Sequence, residues 1–238
     1  IARTELQMLF YSPVAWLILV VFGVQSGMLF ADQLAGLVSS QEMGYDIQGS
    51  TISIFASRWG GVFTTMQNYL YFYIPLLTMS LVSKELSSGS IRLLYSSPIT
   101  NTQIIVGKFF SMMIYGLIMI GILFLITLCS WAVVKDFELS MVLTGLLGLY
   151  LLICAYAAIG IFMSSLTSYQ IVAAIGTFAV LMVLSMIGGW WQDYDFIRDV
   201  TYWLSMPGRS GKFIAGLICS EDVLYFVIVV CLFLALTI

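Results

Sequence analysis

About six runs of roughly 20 apolar residues dominate this chain, and none has a charge at its centre. A helix needs roughly 20 mostly apolar residues to cross a hydrocarbon layer about 30 Å thick. A Lys, Arg or Asp at mid-span costs roughly 2.5–3.5 kcal/mol, so charges gather at the borders of such runs. The runs are Pro13–Phe30, Val62–Val82, Ile104–Val134, Leu139–Met163, Ile171–Trp190 and a last one from Asp222 to the chain end. The third is long enough to tilt or to project from the bilayer. Composition excludes a soluble domain. Charged residues make up 9% of the chain and hydrophobic ones 61%, with a mean hydropathy of +1.04, whereas soluble domains carry about 25% charge. The expected fold is therefore all-α and polytopic, with about six transmembrane helices.

Ahead of the first run, "IARTELQMLFYSP" places Leu6, Leu9 and Phe10 at helical spacing, with Arg3, Glu5 and Gln7 between them. That pattern suits an interfacial helix over residues 1–12, and Pro13 suits the first turn of the span that follows. Residues 31–61, the "KDFE" turn at 135–138 and residues 191–221 fall on one side. The segment 191–221 mixes Trp and Tyr with charges and reads as short helices at the outer interface. Residues 83–103 and "SSLTSYQ" (164–170) fall on the other side, with the N-terminus. That side holds Arg3, Lys84, Arg92 and Lys108; the opposite side holds Arg58, Lys135, Arg198, Arg209 and Lys212, spread over more residues. The density of basic residues in short loops makes the first side cytoplasmic. No secretory leader is visible. The chain starts at Ile1 and stops inside an apolar run, so a longer protein is expected.

Several chemistries lack their residues. Histidine is absent, which removes the commonest metal ligand and general base, and no metal site is expected. Cys129, Cys154, Cys219 and Cys231 form no CxxC pair and read as small apolar fillers. No HExxH or GxSxG occurs. "PGRSGKF" (207–213) falls short of a phosphate loop, which needs Gly at Met206 and Ser or Thr at Phe213. It reads as a polar outer turn. The chain is expected to bind no ATP and to be no enzyme. Ion-coupled carriers usually bury ionisable groups near the midplane, and none stands there, so energy for any transport must come from another subunit.

The most polar continuous stretch is "SKELSSGSIRLLYSSPITNTQIIVGK" (83–108). It resembles the cytoplasmic loop between the second and third spans of type 2 ABC transporter permeases. Lys84, Glu85, Gly89, Leu94, Ser97, Pro98, Gly107 and Lys108 stand at matching places. "FYSPVAWLILVVF" (10–22) and "LYFVIVVCLFLALTI" (224–238) look like that family's first and last spans. Within the family, the chain is most similar to permeases of gliding motility and of copper-site assembly. The resemblance implies a coupling helix in the 83–103 loop that docks on a separate ATPase subunit. Gly89 would turn the chain. Ile91, Leu94 and Tyr95 would enter a groove. Lys84, Glu85 and Arg92 would pair with charges on the ATPase, and Pro98 would stop the helix.

The resemblance further implies ATP and Mg in the partner ATPase, a second permease copy or homologue, and export across a bacterial cytoplasmic membrane, with no nucleic-acid partner. A different class stays open: a non-transporting module that transmits ATPase-driven motion to periplasmic partners in motility or envelope assembly. Two features within spans also bear on function. "GVQSG" supplies Gly23, Gln25 and Gly27, a small-residue patch for a dimer seam or for packing inside one subunit. "NYLYFYIPLL" places Tyr69, Tyr73 and Leu76 on one helix face, which suits a pathway wall or an outer aromatic belt.

Overall fold

The computed structural model describes residues 2–43, 49–57, 60–89, 100–133, 137–186 and 205–238. Among these residues all regular structure is helical. In chain order the helices are α1 (Ala2–Tyr11), α2 (Pro13–Glu42), α3 (Ser50–Phe55), α4 (Val62–Thr78), α5 (Ser83–Ser88), α6 (Asn101–Val133), α7 (Leu139–Ser165), α8 (Gln170–Met186), α9 (Met206–Ile214) and α10 (Ser220–Thr237).

Contacts give the bundle two ends. At the loop end, one cavity gathers α1, the starts of α2 and α8, the end of α4, α5 and Lys108 of α6. The end of α10 lies beside them. At the opposite end, Gln33 of α2 meets Gly60, Phe137 packs on Phe55 of α3, and Gln67 near the start of α4 bonds Pro207 of α9. Helices α2, α4, α6, α7, α8 and α10 thus run alternately between the two ends. Four of them (α2, α6, α7 and α10) are long and apolar enough to cross a membrane. The other two, α4 and the described part of α8, have 17 residues each, or about 25 Å at 1.5 Å per residue. The chain is a polytopic membrane all-α protein.

α7 is the hub, packing against α10, α9, α6, α4 and α8. Its most apolar stretch is 72% buried, against 17–33% in the other three long helices. Small residues permit this. A Cβ at Gly160 would stand 2.2 Å from Thr78 Oγ1, and one at Gly148 would stand 2.3 Å from Phe213 Cβ. Close approach of backbones is what holds helices together in lipid, where apolar burial drives nothing. The outward faces are apolar: Leu17, Val20, Val24 and Met28 of α2 and Leu224, Ile228 and Leu232 of α10 are exposed.

Three sequence boundaries need correction. The first run does not stop at Phe30: α2 continues to Glu42, because no proline interrupts residues 31–42 and the lone Gly36 weakens a helix without ending it. At 30 residues it is about 45 Å long and outreaches the hydrocarbon layer. The second run ends earlier, at Thr78. Pro75 withholds a backbone donor, and Thr78 Oγ1 takes the Ile74 carbonyl (2.9 Å). Residues 207–213 are not a turn but most of α9, an amphipathic helix. Ser205 Oγ accepts from Gly208 N at its start, and Met206, Phe213 and Ile214 are buried. The rest of the 191–221 expectation, over 191–204, lies outside the described residues.

Candidate functional site

The loop end holds a charge cluster in an apolar setting. Lys108 of α6 is 1% exposed. Its Nζ donates to Glu5 Oε1 of α1 at 2.8 Å and to Glu85 Oε1 of α5 at 2.6 Å. A buried ammonium is tolerated where carboxylates surround it. Two carboxyl groups thus share a single ammonium.

Each arm of the triad is held by its own local contacts. α1 turns sharply into α2 at Ser12. There Trp16 Nε1 donates to the Phe10 carbonyl (2.8 Å), and Phe10 packs on Trp16 and Tyr115. Tyr115 Oη, two turns beyond Lys108 on α6, donates to the Ala15 carbonyl (2.8 Å). α1 therefore packs on α6 rather than lying free, with Glu5 and Leu9 on its buried face. α5 is held by Ser164 at the end of α7. The Ser164 Oγ accepts from Val82 N (3.1 Å) and Ser83 N (3.0 Å) and donates to the Met79 carbonyl (3.1 Å). One buried hydroxyl thus joins the end of α4, the start of α5 and the hub helix. Gly89 ends α5 in the left-handed region, with φ 70°, where residues other than glycine are strained.

A cavity of about 460 Å³ opens beside the triad, lined by Glu5, Lys84, Glu85 and Lys108 together with Val14, Leu76 and Leu77. A smaller one of about 200 Å³ is lined by Glu85 and Lys108 together with Thr237 and Ile238.

The structure gathers some of the sequence candidates and separates others. Glu85 has an internal partner in Lys108 through Oε1. Lys84 is exposed on the cavity wall. Ile91, Arg92, Leu94, Tyr95 and Pro98 lie outside the described residues. Gln25 and Tyr73, assigned from sequence to different roles, meet: the Tyr73 hydroxyl donates to Gln25 Oε1. Tyr73 also packs edge-on against Phe22. Gly23 faces Ile122 of α6, whereas Gly27 faces open space. Tyr69 is half-buried, and Leu76 is exposed at the cavity rim.

Sequence reasoning passed over Glu5 and Ser164. Glu5 carried one signal: it stands four residues before Leu9, hence on the same helical face. Ser164 carried none, since a serine at a helix end is commonplace.

The opposite end has its own ion cluster. Arg209 of α9 pairs with Asp222 at the start of α10, and both are nearly fully buried. The guanidinium also lies 4.4 Å from the Tyr225 ring centroid. Lys212 Nζ approaches Asp222 Oδ2 at 3.6 Å.

The family model described as ABC-2 family transporter protein matches residues 1–192. The chain belongs to this family. No curated protein matches it. ABC-2 members are transmembrane subunits of ABC transporters, not enzymes themselves, and membership implies an ABC ATPase partner in general. All three triad residues fall inside the matched region of this ABC-2 permease; Arg209 and Asp222 fall outside it.

Proposed function

We propose that this ABC-2 permease transmits ATP-driven motion from a separate ATPase subunit, through residues 83–98, to the bundle. It would do so as an exporter in a bacterial cytoplasmic membrane, beside a second permease copy or homologue. ATP and Mg belong to the ATPase. The gliding-motility and copper-site permeases are the proposed subgroup. The observation that carries the reading is the Glu5–Lys108–Glu85 triad. α5 leads directly into the proposed docking segment, so a force on that segment reaches Glu85 first. Lys108 passes it to α6, and Glu5 passes it to α1. Ser164 provides a second link, from the start of α5 to α7. Glu85 then acts by positioning α5, while Arg92 is the group for direct pairing with the ATPase.

The test is gentle extraction of the full-length protein, followed by mass spectrometry and an ATPase assay. An ATPase subunit should co-purify with the wild type and be lost with Arg92→Glu. With Glu85→Gln it should stay bound, but its activity should no longer respond to the permease. If no ATPase co-purifies with wild type, the reading fails. If Glu85→Gln retains full coupling, the triad is structural only.

A further inference from the structure

The lining of the loop-end cavity combines charges of both signs with apolar side chains. The triad supplies the acids: Glu5 and Glu85 each give one oxygen, Oε1, to the single Lys108 ammonium. Lys84 supplies a further positive charge. It is exposed, and among the described residues no carboxylate lies within ion-pairing distance of it. The apolar part of the lining comes from Val14 at the start of α2 and Leu76 and Leu77 near the end of α4. Val14 and Leu76 are 39% and 44% exposed. Both stand where an apolar span meets its polar flank, the depth of lipid headgroups. A volume of about 460 Å³ is within the range of small-molecule sites.

An occupant must therefore be zwitterionic at one end and apolar at the other. We infer that the cavity binds the headgroup of one aminophospholipid from the adjacent leaflet. Its phosphate lies at Lys84 and its primary ammonium at Glu5 and Glu85, as a resident ligand rather than cargo. The ammonium brings N–H donors, which make charge-assisted bonds with carboxylate oxygens. A choline headgroup carries the charge but has no N–H to donate. A glycerol headgroup has no cation and adds negative charge beside two carboxylates. Bound so, the lipid ties α1 to α5 from the membrane side. This inference does not depend on an ATPase partner, and its test uses the permease without one.

The full-length protein, purified in detergent, would be exposed to equal amounts of phosphatidylethanolamine, phosphatidylcholine and phosphatidylglycerol, with soluble phosphoethanolamine in a separate arm. Native mass spectrometry would count the lipid retained, and thermal unfolding would report stabilisation. Phosphatidylethanolamine should be retained about tenfold over phosphatidylcholine, as expected for added charge-assisted hydrogen bonds. Lys84→Ala, an exposed substitution that leaves the fold intact, should lower retention of all phospholipids at this site. Glu5→Gln should narrow the preference for the ethanolamine headgroup. Equal retention of the three lipids, or retention unchanged by Lys84→Ala, overturns the inference. Stabilisation by phosphoethanolamine alone, equal to that by the lipid, overturns the leaflet as its source.

Discussion

The two ends of this bundle each bury an ion cluster, and the clusters are built on opposite plans. At the loop end one base, Lys108, holds two acids that lie 103 and 23 residues away in the chain. At the opposite end, among the described residues, the acid Asp222 holds Arg209 from 13 residues away, with Lys212 alongside. The first cluster joins three helices that share no local sequence and borders two cavities. The second joins α9 to the next helix, α10, and lies against the Tyr225 ring, which itself packs on Phe226 and through it on Phe213. A long-range cluster beside open space suits parts that shift relative to one another. A local cluster against an aromatic ring suits a helix pinned in place. The same chemistry can thus serve as a joint or as a clamp, depending on what it connects and on the room around it.

The sharpest way to break this comparison is Lys108→Met. It leaves two carboxylates facing each other in a nearly buried site, and removing one partner of a buried ion pair typically costs about 3–5 kcal/mol. Thermal unfolding in detergent should show the largest loss of any single change discussed here. The triple variant Glu5→Gln, Glu85→Gln, Lys108→Met should recover most of that stability, since no charge is left stranded, yet remain uncoupled from the ATPase. Full coupling in the triple variant would reduce the joint to a packing element.

At the clamp, Asp222→Asn removes the carboxylate charge that Arg209 and Lys212 face, with an expected cost of about 3 kcal/mol. The Tyr225 ring retains some hold on the guanidinium, and Lys212 can turn to solvent. The loss should appear in unfolding midpoints, with coupling to the ATPase preserved in the protein that remains folded. Uncoupling equal to that of Lys108→Met would erase the distinction between the two ends.

Smaller changes sharpen the comparison. Gly148→Ala drives a methyl group into Phe213 and should cost about 1–2 kcal/mol through overpacking of α9 on α7. Ser164→Ala removes the shared acceptor of Val82 N and Ser83 N and should cost about 1–2 kcal/mol. Hydrogen exchange would place the loosening at α5 for Ser164→Ala and at α9 for Gly148→Ala. Tyr73→Phe, in the middle of the bundle, removes the bond to Gln25. It should cost only about 0.6 kcal/mol, the average for interhelical bonds in membranes, and serves as the reference against which the two ends are judged.

Much was legible in the sequence for a plain reason. Crossing a bilayer demands about 20 apolar residues in succession, so the runs announce themselves, and charges mark where they end. The loop motif at 83–108 was likewise readable, because its glycines, proline and charges sit at fixed spacings. Helix continuation past Phe30 was harder to see: polar residues leave the membrane without having to leave the helix. What tertiary structure alone decided is which polar groups meet. Lys108 could have faced headgroups or an ATPase; folding gave it Glu5 and Glu85 instead. Arg209, in a stretch that reads as an outer turn, came to lie against Asp222 on the flank of α7. Tyr73 found Gln25 across 48 residues. Hydropathy acts on each segment separately and so can be read along the chain. Ion pairs and close helix contacts depend on the rotation and depth of two segments at once, and those are set only when the helices pack.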